Sequence, residues 1–308
     1  MNQKNCINSR TFRKLEDLNL IDNFLFQQLL SEKEDGEEFA RILLSTILGR
    51  PIRRVKIVPQ KNILGTDTDK HGIRLDAYIQ EVPDELNPNL ADVQLIPNVY
   101  DIEPNNSYEK ESLPKRVRYY HGLIDTQLLS AGVNYSKLPN MIIIVILPYD
   151  PFNKNRMVYT IRNSCVEDPT VPYEDGARKI YLYTKGTDGN PSQALKDMLK
   201  YIEKSTDDNV TNQDIASIQQ LVNKLKHKKE VGINYMKSWE VEEMMRNEGY
   251  QSGFNEGFSD GFSDGFSDGT EKINQLIILL TEAGRSEDII KAARDKEYQQ
   301  KLLEEFHL

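Results

Sequence analysis

Cysteine is scarce in this chain: Cys6 and Cys165 are its only two among 308 residues. Their wide separation has neither the density of a disulfide framework nor the spacing of a zinc site, so both read as reduced bystanders. Long apolar runs are missing as well. The longest, Met141–Leu147, falls far short of the ~20 residues that a membrane-spanning helix needs. The first residues lack the basic-then-apolar order of a secretory signal, which points to the cytoplasm. Nor is there an excess of positive charge. A formal net charge of -9 argues against a surface that grips nucleic acid everywhere, and leaves room only for a local groove.

What is present is an ordinary globular composition, enough for one full core plus a helical appendage. Basic residues gather at Arg50, Arg53, Arg54 and Lys56 and again at Lys115, Arg116 and Arg118, while acids gather between Glu32 and Glu38. Each basic cluster reads either as a solvated face or as one wall of a groove.

Apolar spacing predicts two helices within residues 16–48, joined by the acidic Glu32 to Glu38 turn and closed by Gly49 and Pro51. Strands are expected near Val55 to Val58, Ile73 to Gln80 and Val99 to Glu103, then a helix over 113–131 with Val117, Tyr120, Ile124 and Leu128 on one stripe. Met141–Leu147 lacks alternation, so it reads as a strand buried on both faces, and strand, helix, buried strand is the order of an α/β sheet. Strands near Tyr159 to Ile161 and Ile180 to Tyr183 follow, and from Ser192 to Asn247 the pattern is helical.

Two acids stand out against this pattern. Asp76 and Glu103 each sit in a half-apolar strand, where a carboxylate is costly to hold unless a cation or partner offsets its desolvation. Strict alternation puts Leu75, Ala77 and Ile79 on one face with Asp76 on the other, and separates Tyr100 and Ile102 from Asp101 and Glu103. Pro104, lacking an N–H, is expected to stop its ladder. If the strands are neighbours with their apolar faces together, Asp76 and Glu103 share a polar face whose hard oxygens suit Mg²⁺. Asp67, Asp69 and His71 are a weaker ligand set and read as a polar turn.

The run Leu75-Asp76, then Val99-Tyr-Asp-Ile-Glu103-Pro-Asn105, then Leu113-Pro-Lys-Arg-Val-Arg-Tyr-Tyr120 resembles the PD-(D/E)XK nuclease family that includes the Rpn recombination-promoting nucleases, also described as transposases. Asp22-Asn-Phe-Leu-Phe26, Asp150-Pro-Phe152, Tyr159-Thr-Ile-Arg-Asn163 and Glu174-Asp-Gly176 are similar to that family too, and the resemblance spans roughly residues 15–245 through the order of its motifs.

The resemblance implies a restriction-endonuclease-like α/β fold, a mixed central sheet flanked by helices and followed by a helical C-terminal extension. It implies a metal-dependent DNA endonuclease acting in recombination or in mobile-element or phage processing. Asp76 becomes the strand aspartate and Glu103 the signature glutamate, both holding Mg²⁺ or Mn²⁺, with Asp22 as a third acid from the first helix. Asn105 takes the third signature position, where the family has Lys or Gln; an Asn offers a neutral hydrogen bond in place of a charge. Lys115 and Arg116 at the next helix start could supply that charge. The long stretch between Asp76 and Glu103, with Pro83, Pro88 and Pro97, is a second departure and reads as an inserted loop. Asn105, that loop and the acidic charge leave open the alternative of a nuclease-fold module retained for protein interaction or regulation.

The tail carries an internal repeat. Gly249, Gly253, Gly257, Gly261, Gly265 and Gly269 recur every fourth residue, with Phe254, Phe258, Phe262 and Phe266 one position after their glycines. It reads either as a flexible linker, since each mid-helix glycine costs about 0.5–1 kcal/mol, or as a helix through which copies of the chain associate. The expected organisation is a nuclease-like core over 1–190, a helical extension packed on it over 191–247, the repeat over 248–270 and a C-terminal helical hairpin over 271–308, the last resembling that of many Rpn-type proteins.

Overall fold

Met141–Leu147 is a strand buried along its whole length, as its lack of alternation implies. It belongs to a computed structural model that describes residues 12–63, 73–82, 98–106, 108 and 110–308, and only the backbone of Gln60, Arg74 and Asp76. Along the chain lie helices α1 (Asn23–Ser31) and α2 (Lys33–Leu48), strands β1 (Val55–Ile63), β2 (Ile73–Glu81) and β3 (Val99–Pro104), and helix α3 (Leu113–Leu128). Strands β4 (Met141–Leu147), β5 (Val158–Ile161) and β6 (Ala177–Tyr183) follow, then helices α4 (Gln193–Glu203), α5 (Gln213–Lys226), α6 (Lys229–Glu282), α7 (Ser286–Arg294) and α8 (Lys296–Glu305).

The six strands form one mixed sheet in the order β1-β2-β3-β4-β6-β5. Strands β3, β4 and β6 run parallel, while β1, β2 and β5 pair antiparallel with their neighbours. The connection from β3 through α3 to β4 is the βαβ unit that the sequence pattern implies. Helices α1, α2, α4 and α5 cover one face, where Leu25, Phe39, Leu199 and Ile218 meet Tyr100, Ile144 and Leu182. On the other face Val117 and Ile124 of α3 pack on Val99, Ile143, Val145 and Tyr181. The expected α/β class, with a mixed sheet between helices and a helical C-terminal region, is what the structure shows.

Several local expectations are corrected. Strand β1 runs through Pro59 to Ile63, because it is an edge strand and a proline can sit there without breaking a central ladder. Glu103 does not end β3, because Pro104 is its last residue. The N–H groups of Val99 and Asn105 donate to Asn140 and Ile146 on the β4 side, so the donor that Pro104 lacks belongs to the other edge and its pairing with Ile146 survives. Of the acids expected in a turn, Glu34 and Asp35 lie in the first turn of α2, where the helix dipole favours negative charge. Alternation also fails in β2: Ala77 and Ile79 belong to the first cluster, but Ile73 and Leu75 belong to the second.

Where α1 meets α2, the position of Gly36 is fixed by sterics. A Cβ there would lie 2.7 Å from the carbonyl oxygen of Leu30 and 2.9 Å from that of Leu29, both backbone atoms that cannot swing aside. Gly36→Ala is therefore expected to destabilise by about 1–3 kcal/mol despite alanine's better helix propensity. Urea unfolding checks the sign, since a neutral or stabilising result would mean that this junction is looser than drawn.

The Arg50 cluster is partly structural. Arg50 makes a two-pronged pair with Glu81 at 2.8 and 2.7 Å, and Glu81 also accepts from Tyr100 Oη at 2.8 Å and Asn98 Nδ2 at 2.9 Å. The Arg50 hydrogen bonds, with those from Asn98 and Tyr100, outweigh burial and hold the Glu81 carboxyl at about 2, below its ordinary 4.5. A depressed folded value stabilises above the unfolded one, so the contribution is complete above 4.5 and is lost as the pH falls toward 2. With Arg50 partly exposed, about 1–2 kcal/mol is at stake. Acid unfolding of Glu81→Gln is expected to lose that part of the pH dependence; an unchanged curve would show that the pair contributes nothing.

The chain divides into two compact units, Met1–Tyr235 and Met236–Leu308. Val231 and Tyr235 are the last residues of α6 in the first core, and Tyr235 Oη donates to the carbonyl of Arg13 at 2.8 Å. The first unit ends at Tyr235, within the stretch to 247 expected as a helical extension. In the second unit Leu276 and Leu280 of α6 pack with Ala292 of α7 and Leu302 of α8. The break between α6 and α7 falls at Gly284, whose φ is +72°. The tetrad repeat lies inside α6, in continuous helix. Among the described residues no helix is long and apolar enough to cross a membrane.

Candidate active site

Strand β3 positions the acids. It is hydrogen-bonded to β2 on one edge and β4 on the other, and its even residues Tyr100 and Ile102 enter the core beneath α1 and α2. Its odd residues consequently face α3: Val99 is in that second core, and Asp101 and Glu103 follow on the same face. Asp101 is 0% exposed and Glu103 7% exposed. Two carboxylates two residues apart on a covered strand face need compensating positive charge, because desolvation of one such group costs several kcal/mol.

Asp76 lies in the backbone of β2, and its side chain is outside the described residues. The β2–β3 register pairs Gln80 with Val99 and Tyr78 with Asp101. Among the described residues the pairing goes no further toward Asp76 and Glu103. Asp67, Asp69 and His71, and the Pro83, Pro88 and Pro97 loop, lie outside the described residues altogether.

The first turn of α3 supplies cations near the end of β3. Lys115 is exposed and Arg116 half-buried. Burial pushes the Tyr181 phenol up to about 12, and the Arg116 guanidinium acts against that rise, so its charge is felt on the sheet face that carries Asp101 and Glu103. Arg116 also lies over the Tyr120 ring at 5.9 Å. Asn105 is buried just past β3, with its N–H donated to Ile146 at 2.9 Å.

Asp22 occupies a different setting. It stands at the N-cap position of α1 without a side-chain capping bond, accepts the Asn19 N–H at 2.8 Å and pairs with Arg13. Helix α1 packs on the first face of the sheet and Glu103 faces the second. The described contacts give Asp22 a local partner set in Arg13 and Asn19. Among the described residues no cluster of three or more His, Cys, Asp or Glu side chains converges as a metal site.

The chain matches no family model, no curated protein and no solved structure.

Other residues quoted for the resemblance organise a loop. Asp150 accepts N–H bonds from Phe152 at 3.0 Å and Asn155 at 2.5 Å, and the Tyr159 hydroxyl at 2.7 Å. Burial alone would raise its carboxyl; these donors outweigh it and hold it below the usual range. Phe152 meets Tyr159 and Tyr181 edge to face, fixing the segment after β4 against β6.

Asp101 was the acid that sequence reasoning passed over. Its signal was present, since it shares the odd face of β3 with Glu103, but its complete burial depends on α3 lying across that face.

Proposed function

We propose that the chain is a metal-dependent DNA endonuclease on a restriction-endonuclease-like core, working in the cytoplasm on recombination, mobile-element or phage DNA. The observation that carries this reading is the burial of Asp101 and Glu103 side by side on one strand face, beneath a helix whose first turn presents Lys115 and Arg116. The donors fit a hard divalent cation, being carboxylate oxygens in a covered setting that disfavours uncompensated negative charge.

Glu103 and Asp76 would hold Mg²⁺ or Mn²⁺, and Asp101 adds a second negative charge to the same strand face. Such an ion, when bound, supplies Lewis acidity and a water of lowered pKa. The chain's own groups do the remaining work. Arg116 has a planar guanidinium suited to two phosphate oxygens at once, and the exposed Lys115 extends that positive edge toward the DNA backbone. Asn105 contributes a neutral hydrogen bond where the resembled family places Lys or Gln, so charge stabilisation at the phosphorus falls to α3. Confining these cations to one helix start suits a groove on an acidic molecule.

Supercoiled plasmid incubated with Mg²⁺ or Mn²⁺ tests the reading. Nicked and linear products are expected from the parent and not from Asp76→Ala or Glu103→Ala. Equal activity in all three would remove the enzyme and leave an interaction module on the same fold.

A further inference from the structure

Helix α6 carries a row of aromatic side chains that the fold leaves in water. Tyr250, Phe254, Phe258, Phe262 and Phe266 are between 58% and 71% exposed. The rings of Phe254 and Phe258 stack along the row, 6.4 Å apart and 19° from parallel. Taking roughly 200 Å² for a whole aromatic side chain, these five expose roughly 600 Å². That reaches the size at which an exposed apolar patch marks an interaction surface.

The glycines beside the row have no explanation inside one chain. At Gly249, Gly253, Gly257, Gly261, Gly265 and Gly269 an added Cβ would meet nothing within 4 Å, and none of the six has a positive φ. Alanine would fit at every one and would favour the helix. Six helix-weakening residues at a fixed spacing make sense where a second backbone must come close.

We propose that the Gly-Phe face of α6 is where two copies of this chain associate, the phenylalanines of one helix lying along the glycine row of the other. Three features select a second copy over another partner. Knob and groove are on the same helix at the same four-residue pitch, so the surface is complementary to itself. At about 100° per residue, the Ser position of each tetrad falls opposite the Gly-Phe side, while Asp lies about 60° from the glycine before it, so Asp260, Asp264 and Asp268 border the contact rather than fill it. Two such rows together remove roughly 1,200 Å² from water, within the range of stable interfaces. A four-residue row gains about 40° per step on a full turn, so helices that keep row against row wrap around each other in the right-handed sense.

Sedimentation equilibrium of the full chain tests this, with circular dichroism alongside. The parent is expected at twice its 35.5 kDa mass at micromolar concentration. The Phe258→Ser/Phe262→Ser chain is expected to be monomeric, with a dissociation constant raised at least 100-fold. Gly257→Ala/Gly261→Ala separates association from helix strength: more helical ellipticity with at least tenfold weaker association is expected. A parent that is monomeric at about 100 μM overturns the proposal, as does a glycine-to-alanine chain that associates as tightly as the parent. A monomeric parent that sediments with neutral phosphatidylcholine vesicles also overturns it, and assigns the face to lipid.

Discussion

Glu103→Gln is expected to lower metal-dependent DNA cleavage by roughly 10³-fold or more while leaving the fold intact. Glutamine keeps the volume of the side chain at a position where only 7% of the residue is exposed, so no cavity forms. What it removes is the negative charge that a hard cation requires. The same substitution separates site from scaffold through a readout that needs no turnover. A ligand present at 100 times its dissociation constant stabilises the folded state by about 2.7 kcal/mol, so the parent should melt several degrees higher in millimolar Mg²⁺ or Mn²⁺. Glu103→Gln should lose that rise. Its circular dichroism spectrum without metal should match the parent's, which separates loss of the ligand from loss of the fold. Retained cleavage, or a metal-induced rise as large as the parent's, would exclude Glu103 as a ligand.

The sheet was legible wherever one segment's own pattern decided its environment. Met141–Leu147 has only apolar residues and is central; Val117 and Ile124 lie on one helical stripe and face one core. Misreadings came where the outcome depended on a neighbour. Pro59 and Pro104 look like strand breakers, yet each sits where the missing donor faces no ladder bond, which requires knowing the strand order. Leu75 departs from the alternation of Ala77 and Ile79 and packs in the other cluster, a change that nothing in its own segment signals. The glycine repeat lowers helix propensity locally, but helix on both sides has already met the cost of nucleation, and propagation through the tetrads needs only one hydrogen bond per residue.

The candidate site follows the same division. The odd-face placement of Glu103 was visible in its own strand, and so was the position of Lys115 and Arg116 at a helix start. Asp101 was visible as a residue, but its burial is a product of α3 crossing from β3 to β4. Asp22 matched a motif, and the tertiary structure gave its carboxylate to Arg13 and the Asn19 N–H.

The largest effect on stability is expected from Ile144→Ala. Ile144 is 0% exposed at the middle of β4, flanked by Ile102 on β3 and Ile180 on β6, and all three belong to the core beneath α1, α2, α4 and α5. Parallel strands on both sides fix its backbone, so the surroundings collapse poorly onto a deletion and the loss should be about 3–4 kcal/mol. Against a total of about 5–15 kcal/mol for a domain, that is a large fraction. Ile161→Ala on β5, where the side chain is exposed at the opposite sheet edge, should cost less than about 0.5 kcal/mol. Urea unfolding of the two chains measures the difference, and a loss below about 1 kcal/mol at Ile144 would remove β4 from the centre of the sheet. Because β4 holds β3 in register, with Glu103 beside Val145, Ile144 supports the candidate site from the opposite face of the sheet. At temperatures where the Ile144→Ala chain remains folded, cleavage should match the parent's, unlike the loss at Glu103.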